Sequence, residues 1–328
     1  MLKRCFEKIP GFLLAIALGL SASWVAGLNK AMDALVVGIV FGMLARAAVG
    51  ERKILLPGLD FAPKVFIPLG IILYGVNMEF HKLASVQAIA WLQLLVGIVI
   101  VFWVVIYVGS RLGLSDKTSL LIGMGTSICG ASAIVLASPV VEAEKEDTGM
   151  SLLVITILGF LGVAFYPAIQ SFLSMSWQSY ALFCATTLHQ TGFVKMAASA
   201  LSKECLDLAV CIKMARTATI IPILLGISWY AVYLKVSKGM KSRFGVPWFL
   251  WGFLLVGIIF SFSPQIGQYS KVVKPWASWA FIFALTSIGL GVDIKKTIVA
   301  LPKPILLGTI AWLSIIALFF FGYFVIGY

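Results

Sequence analysis

The chain has 328 residues, a formal net charge of +12, 61% hydrophobic residues and only 12% charged residues, with a mean hydropathy of +1.04. A soluble domain keeps about 25% charged residues to wet its surface, so half that share excludes a water-soluble globule. Apolar runs long enough to cross a bilayer recur throughout, and in lipid every backbone group must be bonded internally, which leaves helices or closed barrels. The runs do not alternate in polarity as barrel strands do, so the fold class is an all-α polytopic membrane protein.

In chain order, Lys3, Arg4 and Lys8 precede the first apolar stretch, and Ser21-Ala22-Ser23 resembles a signal cleavage site. A many-span protein needs no removable signal, so an uncleaved first span is expected. About eleven transmembrane helices follow, at 10–28, 31–49, 62–79, 84–110, 118–141, 149–173, 178–201, 206–234, 246–264, 272–292 and 304–327. The longest polar stretches, Glu142–Gly149 and Lys235–Gly245, are too short to fold alone, which leaves one transporter-sized membrane domain over 1–328. Sixteen of the 25 Lys and Arg fall on one side if the N-terminus is cytoplasmic, six on the other and three within spans. The positive-inside rule then predicts a cytoplasmic N-terminus, a periplasmic C-terminus and an outer location for the acidic run 142–147. The positive charge reflects topology, and no nucleic-acid partner is needed to explain it.

The fifth span contains Gly123-Met124-Gly125-Thr126-Ser127-Ile128-Cys129-Gly130-Ala131-Ser132, and the tenth contains Thr286-Ser287-Ile288-Gly289-Leu290-Gly291. Interior glycines weaken helices, and both clusters reach mid-membrane depth from opposite faces. This predicts two inverted repeats, 31–173 and 178–327, with 1–30 an extra N-terminal span and interrupted helices crossing at the midplane. A second register pairs Leu73-Tyr74-Gly75-Val76-Asn77 with Gly289-Leu290-Gly291-Val292-Asp293. Helix packing is the competing explanation, because small residues let backbones approach. The glycine pattern at 123–130 lacks the Lys-Ser/Thr ending of a phosphate loop.

Lys213 and Arg216 lie deep in the eighth span on one helix face, where a charge is expensive. None of the thirteen acidic residues is near mid-span, so the centre is basic and suits an anion. His189, in Thr187-Leu188-His189-Gln190, is mid-span and can donate to an anion, carry a proton or cap a helix break; Lys195 is nearer a boundary and suits snorkelling. The candidate substrate-binding residues are Thr126, Ser127, Cys129, Gly130, Ser132, His189, Lys213, Arg216, Thr286 and Ser287. The five cysteines and two histidines offer no metal-ligand spacing and no activated nucleophile, so no cofactor, metal or enzymatic activity is expected.

The run Gly125–Ile134, the Thr187-x-His189 segment and Lys213-x-x-Arg216 resemble the YeiH-like family of bacterial inner-membrane transporters, nominally sulfate exporters. The resemblance covers nearly the whole chain. It implies a secondary transporter of sulfate or a related sulfur oxyanion, working by alternating access. A sodium-coupled organic-anion symporter is the alternative. The partners expected are a small anion and the lipid bilayer; a coupling ion, H+ or Na+, and a homo-oligomer stay open.

Overall fold

A computed structural model describes residues 7–28, 33–50, 52–77, 88–237 and 248–326. Lys3, Arg4, Lys30, Lys82, Lys238, Lys241 and Arg243, which enter the charge count, lie outside them. Among the described residues, seven helices are long and apolar enough to cross a membrane. They cover predicted spans one, three, four, six, eight, ten and eleven. Two shorter apolar helices, Ala34–Val49 and Trp248–Phe262, cover spans two and nine.

The chain divides into two compact units. The first contains α1 (Ile9–Leu28), α2 (Ala34–Val49) and α3 (Leu56–Tyr74). The second contains α4 (Ala88–Leu112), α5 (Asp116–Met124), a π-turn at Gly125–Cys129, and α6 (Ala131–Ala137). It also holds most of α7 (Lys145–Phe172), then α8 (Trp177–Thr187), α9 (Thr191–Ser199) and α10 (Lys203–Ala218). From its second residue, α11 (Ile220–Ser237) returns to the first unit with α12 (Trp248–Phe262) and α13 (Ser270–Gly291), and α14 (Pro302–Ile326) ends the second. Each of the segments 31–173 and 178–327 contributes to both units. On α4, Val99, Trp103 and Ile106 are 69%, 65% and 61% exposed, an outward apolar stripe that suits lipid.

In the first unit α13 packs on α1, α2 and α3, and it is continuous from Ser270 to Gly291. The predicted interruption at Thr286–Gly291 is therefore absent. Its small residues serve close packing: a Cβ at Gly289 would overlap the Ile39 carbonyl on α2, and one at Gly42 would overlap the backbone of Thr286. The Thr286 hydroxyl donates to the Ile282 carbonyl at 2.8 Å, and Ser287 Oγ donates to the Leu59 carbonyl at 2.8 Å. With those donors bonded, this cluster is a helix-contact seam.

The predicted interruption of span five is present, at Gly130, and a second lies in span seven instead of span ten; neither segment runs straight through. A Cβ on Gly125 would sit 3.2 Å from Ile134 Cγ1, whereas a continuous helix would hold those residues about 13.5 Å apart along its axis. Ser151 Oγ, near the start of α7, donates to the Thr118 carbonyl near the start of α5 at 3.4 Å. So α5 and α6 form a hairpin that returns to the end it left. The second hairpin, α8–α9, brings the Tyr180 hydroxyl to the Ala197 carbonyl at 3.4 Å, where a straight helix would separate them by about 25 Å. The first hairpin leads into the start of α7 and the second leaves from its end, so the two enter from opposite ends of that helix.

One predicted location changes with this. Eleven straight crossings would put Asp60 and Lys145 on opposite faces, yet they form an ion pair at 2.7 Å, and a Cβ on Gly291 would touch the Lys145 side chain. The acidic run 142–147 therefore shares a side with the start of α3 and the end of α13. In a cysteine-replaced background, Glu144→Cys is expected to react with an impermeant maleimide from the same side as Lys53→Cys; labelling from opposite sides would restore a straight fifth span.

Candidate functional site

The two hairpin tips meet in the second unit. Helices α5 and α8 start cleanly because Ser115 and Ser176 cap them, each accepting from the backbone N–H three residues on, at 3.0 and 3.1 Å. The first helix then loosens into the π-turn and stops at Gly130, whose φ of +76° and ψ of −127° suit glycine alone. A side chain there would also meet Gln190 Cγ and, at 3.2 Å, the His189 carbonyl. Gly130 thus has two independent reasons to lack a Cβ: its own backbone conformation and the opposing tip.

A helix that stops in lipid leaves carbonyls without partners. Here α10 supplies the donors. Arg216 Nε donates to Ser127 O at 2.8 Å and Nη2 donates to Thr126 O, both on the first tip. Its Nη1 donates to Ala185 O at 3.2 Å and Leu188 O at 2.8 Å on the second. Lys213 Nζ donates to Leu188 O at 2.7 Å and His189 O at 2.8 Å. From α14, Trp312 Nε1 donates to Thr187 O at 3.1 Å, and the Thr187 hydroxyl pairs with Tyr166 on α7 at 2.7 Å. One planar guanidinium therefore staples two broken helices that come from opposite directions, which the point charge of a lysine cannot do. Four of its five N–H groups are used, as are two of the three on Lys213.

The opposite polarity is left open. The Gln190 side chain makes no cap to α9, whose first turn therefore presents backbone N–H groups, and a Cβ at Gly192 in that turn would meet nothing. Beside it, both ring nitrogens of His189, Gln190 Oε1 and Thr126 Oγ1 are buried without a hydrogen-bond partner. His189 and Thr126 are 0% exposed and Gln190 is 2% exposed. The other face of Gln190 is anchored, with Nε2 donating to Thr156 Oγ1 at 3.3 Å, and the His189 ring lies 5.6 Å from that of Trp312. Leaving a buried polar atom unpaired costs about 1–3 kcal/mol, so such a cluster marks a place where a ligand completes the bonding.

Of the ten candidates, the structure gathers Thr126, Ser127, Cys129, Gly130, His189, Lys213 and Arg216 at this junction. Ser127 Oγ is occupied, donating to Gly123 O at 2.7 Å. Ser132 is half-buried on α6 and Cys129 is a buried free thiol. Thr286 and Ser287 belong to the first unit. Sequence reasoning missed Gln190, Thr156, Tyr166 and Trp312. Only Gln190 carried a signal, as an amide inside an apolar run; nothing distinguishes Trp312 from the other nine tryptophans or Tyr166 from the other eight tyrosines. Arg216→Lys is expected to strand tip carbonyls, because one ammonium cannot reach both tips as the planar fork does, and to lower stability by about 2–4 kcal/mol, read as a fall in melting temperature in detergent. An unchanged melting temperature would mean the staple is not holding the tips.

The sequence model of the family described as Conserved hypothetical protein 698 matches residues 10–308. A UPF0324 membrane protein of Archaeoglobus fulgidus is 30% identical over 306 residues, covering 93% of this chain and 90% of the relative. One from Streptococcus pyogenes is 28% identical over 321 residues, covering 94% of each chain, and one from Staphylococcus epidermidis is 25% identical over 276 residues, covering 83% and 82%. No solved structure matches the chain.

Proposed function

The chain belongs to the Conserved hypothetical protein 698 family, the UPF0324 membrane proteins, which is the YeiH-like family its motifs resemble, and from that premise we propose that it is a secondary active transporter of a small anion. The substrate class is sulfate or a related sulfur oxyanion, exported across the bacterial inner membrane by alternating access. The observation that carries the reading is the buried junction of the two hairpin tips. It holds two basic side chains, Lys213 and Arg216, and no acidic side chain is among the buried described residues.

The charge balance supports an anion. Helix ends carry roughly half an elementary charge each, and the two stopped C-termini are matched by the two open N-termini of α6 and α9. The dipoles therefore cancel, and the basic side chains of Arg216 and Lys213 leave an excess of positive charge. Burying that excess in lipid without a counter-ion is expensive. An oxyanion would supply the missing charge. It would also accept from Thr126 Oγ1, from a His189 N–H, from the α9 backbone and from the spare N–H groups of Arg216 and Lys213. Water exclusion at the tips would favour a small, fully dehydrated ligand.

The topology fits a transporter. With hairpins at 116–137 and 177–199, the described residues cross nine times. The N-terminus stays cytoplasmic and the C-terminus periplasmic, while Lys145 joins the sixteen inner cations. The five-element set α2, α3, α4, hairpin, α7 then matches α12, α13, α14, hairpin, α10–α11, every pair inverted. Lengths agree for two of the pairs: 16 and 15 residues for α2 and α12, and 25 and 25 for α4 and α14. Gly75-Val76-Asn77 and Gly291-Val292-Asp293 mark equivalent helix ends. This is the second register of the sequence analysis, with the order of the second set rotated along the chain.

Thr126→Val removes an unpartnered hydroxyl at constant shape, so the protein without anion should melt at the same temperature or higher. Stabilisation by sulfate, sulfite or thiosulfate and uptake into proteoliposomes should both fall at least tenfold. The screen runs with and without sodium and includes organic carboxylates. Normal anion response by this variant, together with a lowered melting temperature, would return Thr126 to a packing role; sodium-dependent response to carboxylates alone would replace the sulfur oxyanion with an organic anion.

A further inference from the structure

We propose that the first unit holds an anionic phospholipid of the membrane leaflet on its basic side, with part of an acyl chain inserted between α1, α2, α3 and α13. A cavity of about 140 Å³ lies there. Its walls are aliphatic: Leu14 and Leu18 from α1, Leu55 and Leu59 from α3, and Leu290 from α13. Water enters a void only where it finds two or more polar partners, and these walls offer none. A hydrocarbon chain matches them.

The rim has a different chemistry. Arg46, in the last turn of α2, and Arg52, in the connection to α3, also line the cavity. Arg52 is exposed and Arg46 half-buried. Lys53 follows directly, and Lys8, at the start of α1, stands over the Phe61 ring at 4.2 Å. Asp60, an acidic group on α3 near this end, is paired with Lys145. An aliphatic floor beneath an arginine rim is complementary to a molecule with an apolar tail and an anionic head. In a bilayer that molecule is an acidic phospholipid, and basic clusters at membrane surfaces attract it by about 1 kcal/mol per cation. The cavity holds only part of a chain, so the rest of the lipid stays in the leaflet. The aliphatic void is of the wrong character for the transported anion, and the inference does not depend on the proposed substrate.

The test uses the full chain, purified in a neutral detergent and stripped of lipid. Melting temperature and lipid retention in native mass spectrometry are measured with phosphatidylglycerol, phosphatidylcholine of the same acyl chains, and inorganic phosphate. The expected result is stabilisation by several degrees and one or more retained molecules with phosphatidylglycerol, with little effect from the other two. Arg46→Gln with Arg52→Gln should abolish the preference for the acidic lipid. Ala45→Phe, which fills the cavity from α2, should remove the lipid-dependent shift; if that variant fails to fold, Leu18→Phe fills it from α1. Equal stabilisation by both lipids, a matching shift with inorganic phosphate, or a preference that survives the arginine and filling variants would overturn the proposal.

Discussion

The second unit depends on satisfying helix ends where there is no water. Two helices stop within the apolar interior, and each exposes carbonyls that lipid cannot bond. Arg216 and Lys213 answer that demand from a third helix, and Trp312 answers part of it from a fourth. The arrangement explains why the cations are two and adjacent on one helix face, why the larger of them is an arginine, and why the opposing tip carries Gly130. It also means that the same side chains that make the site positive hold it together. In the proposed anion site, stability and recognition are therefore not separable at Arg216, while at Thr126 and His189, whose side-chain polar atoms bond to nothing in the protein, they are.

Much of the site was legible because lipid makes polarity conspicuous. A lysine, an arginine and a histidine in apolar runs, and a glycine–hydroxyl cluster among them, stand out whatever their partners. What could not be read was direction. Gly125, Thr126 and Gly130 signal a break, but a break that continues and a break that returns have the same composition. The difference lies in contacts such as Tyr180 with Ala197 and Ser151 with Thr118, which join residues far apart in sequence through ordinary side chains. The Thr286–Gly291 cluster misled for a related reason. Glycine weakens a helix and also lets two helices touch, and only the overlap of Gly289 with Ile39 distinguishes the second use. The partners of the cations were equally hidden, since a backbone carbonyl has no letter in the sequence.

The first unit is organised by close backbone approach, with α13 as its axis. Gly42 and Gly289 let α2 and α13 touch, and Ser287 ties α13 to α3 through the Leu59 carbonyl. An aliphatic void beneath Arg46 and Arg52 lies beside this seam, with Leu290 in its lining.

The returning hairpins have a consequence for parity. A set of five straight helices begins on one face and ends on the other, so its last helix cannot be joined to its first without a further crossing. Four crossings plus one returning element begin and end on the same face. Such a set is closed in the topological sense, and a gene encoding it can be cut and rejoined at a different loop without turning any helix over. In the pairing proposed above, the order of α12–α14 relative to the second hairpin is rotated, which is the kind of rearrangement that this parity permits.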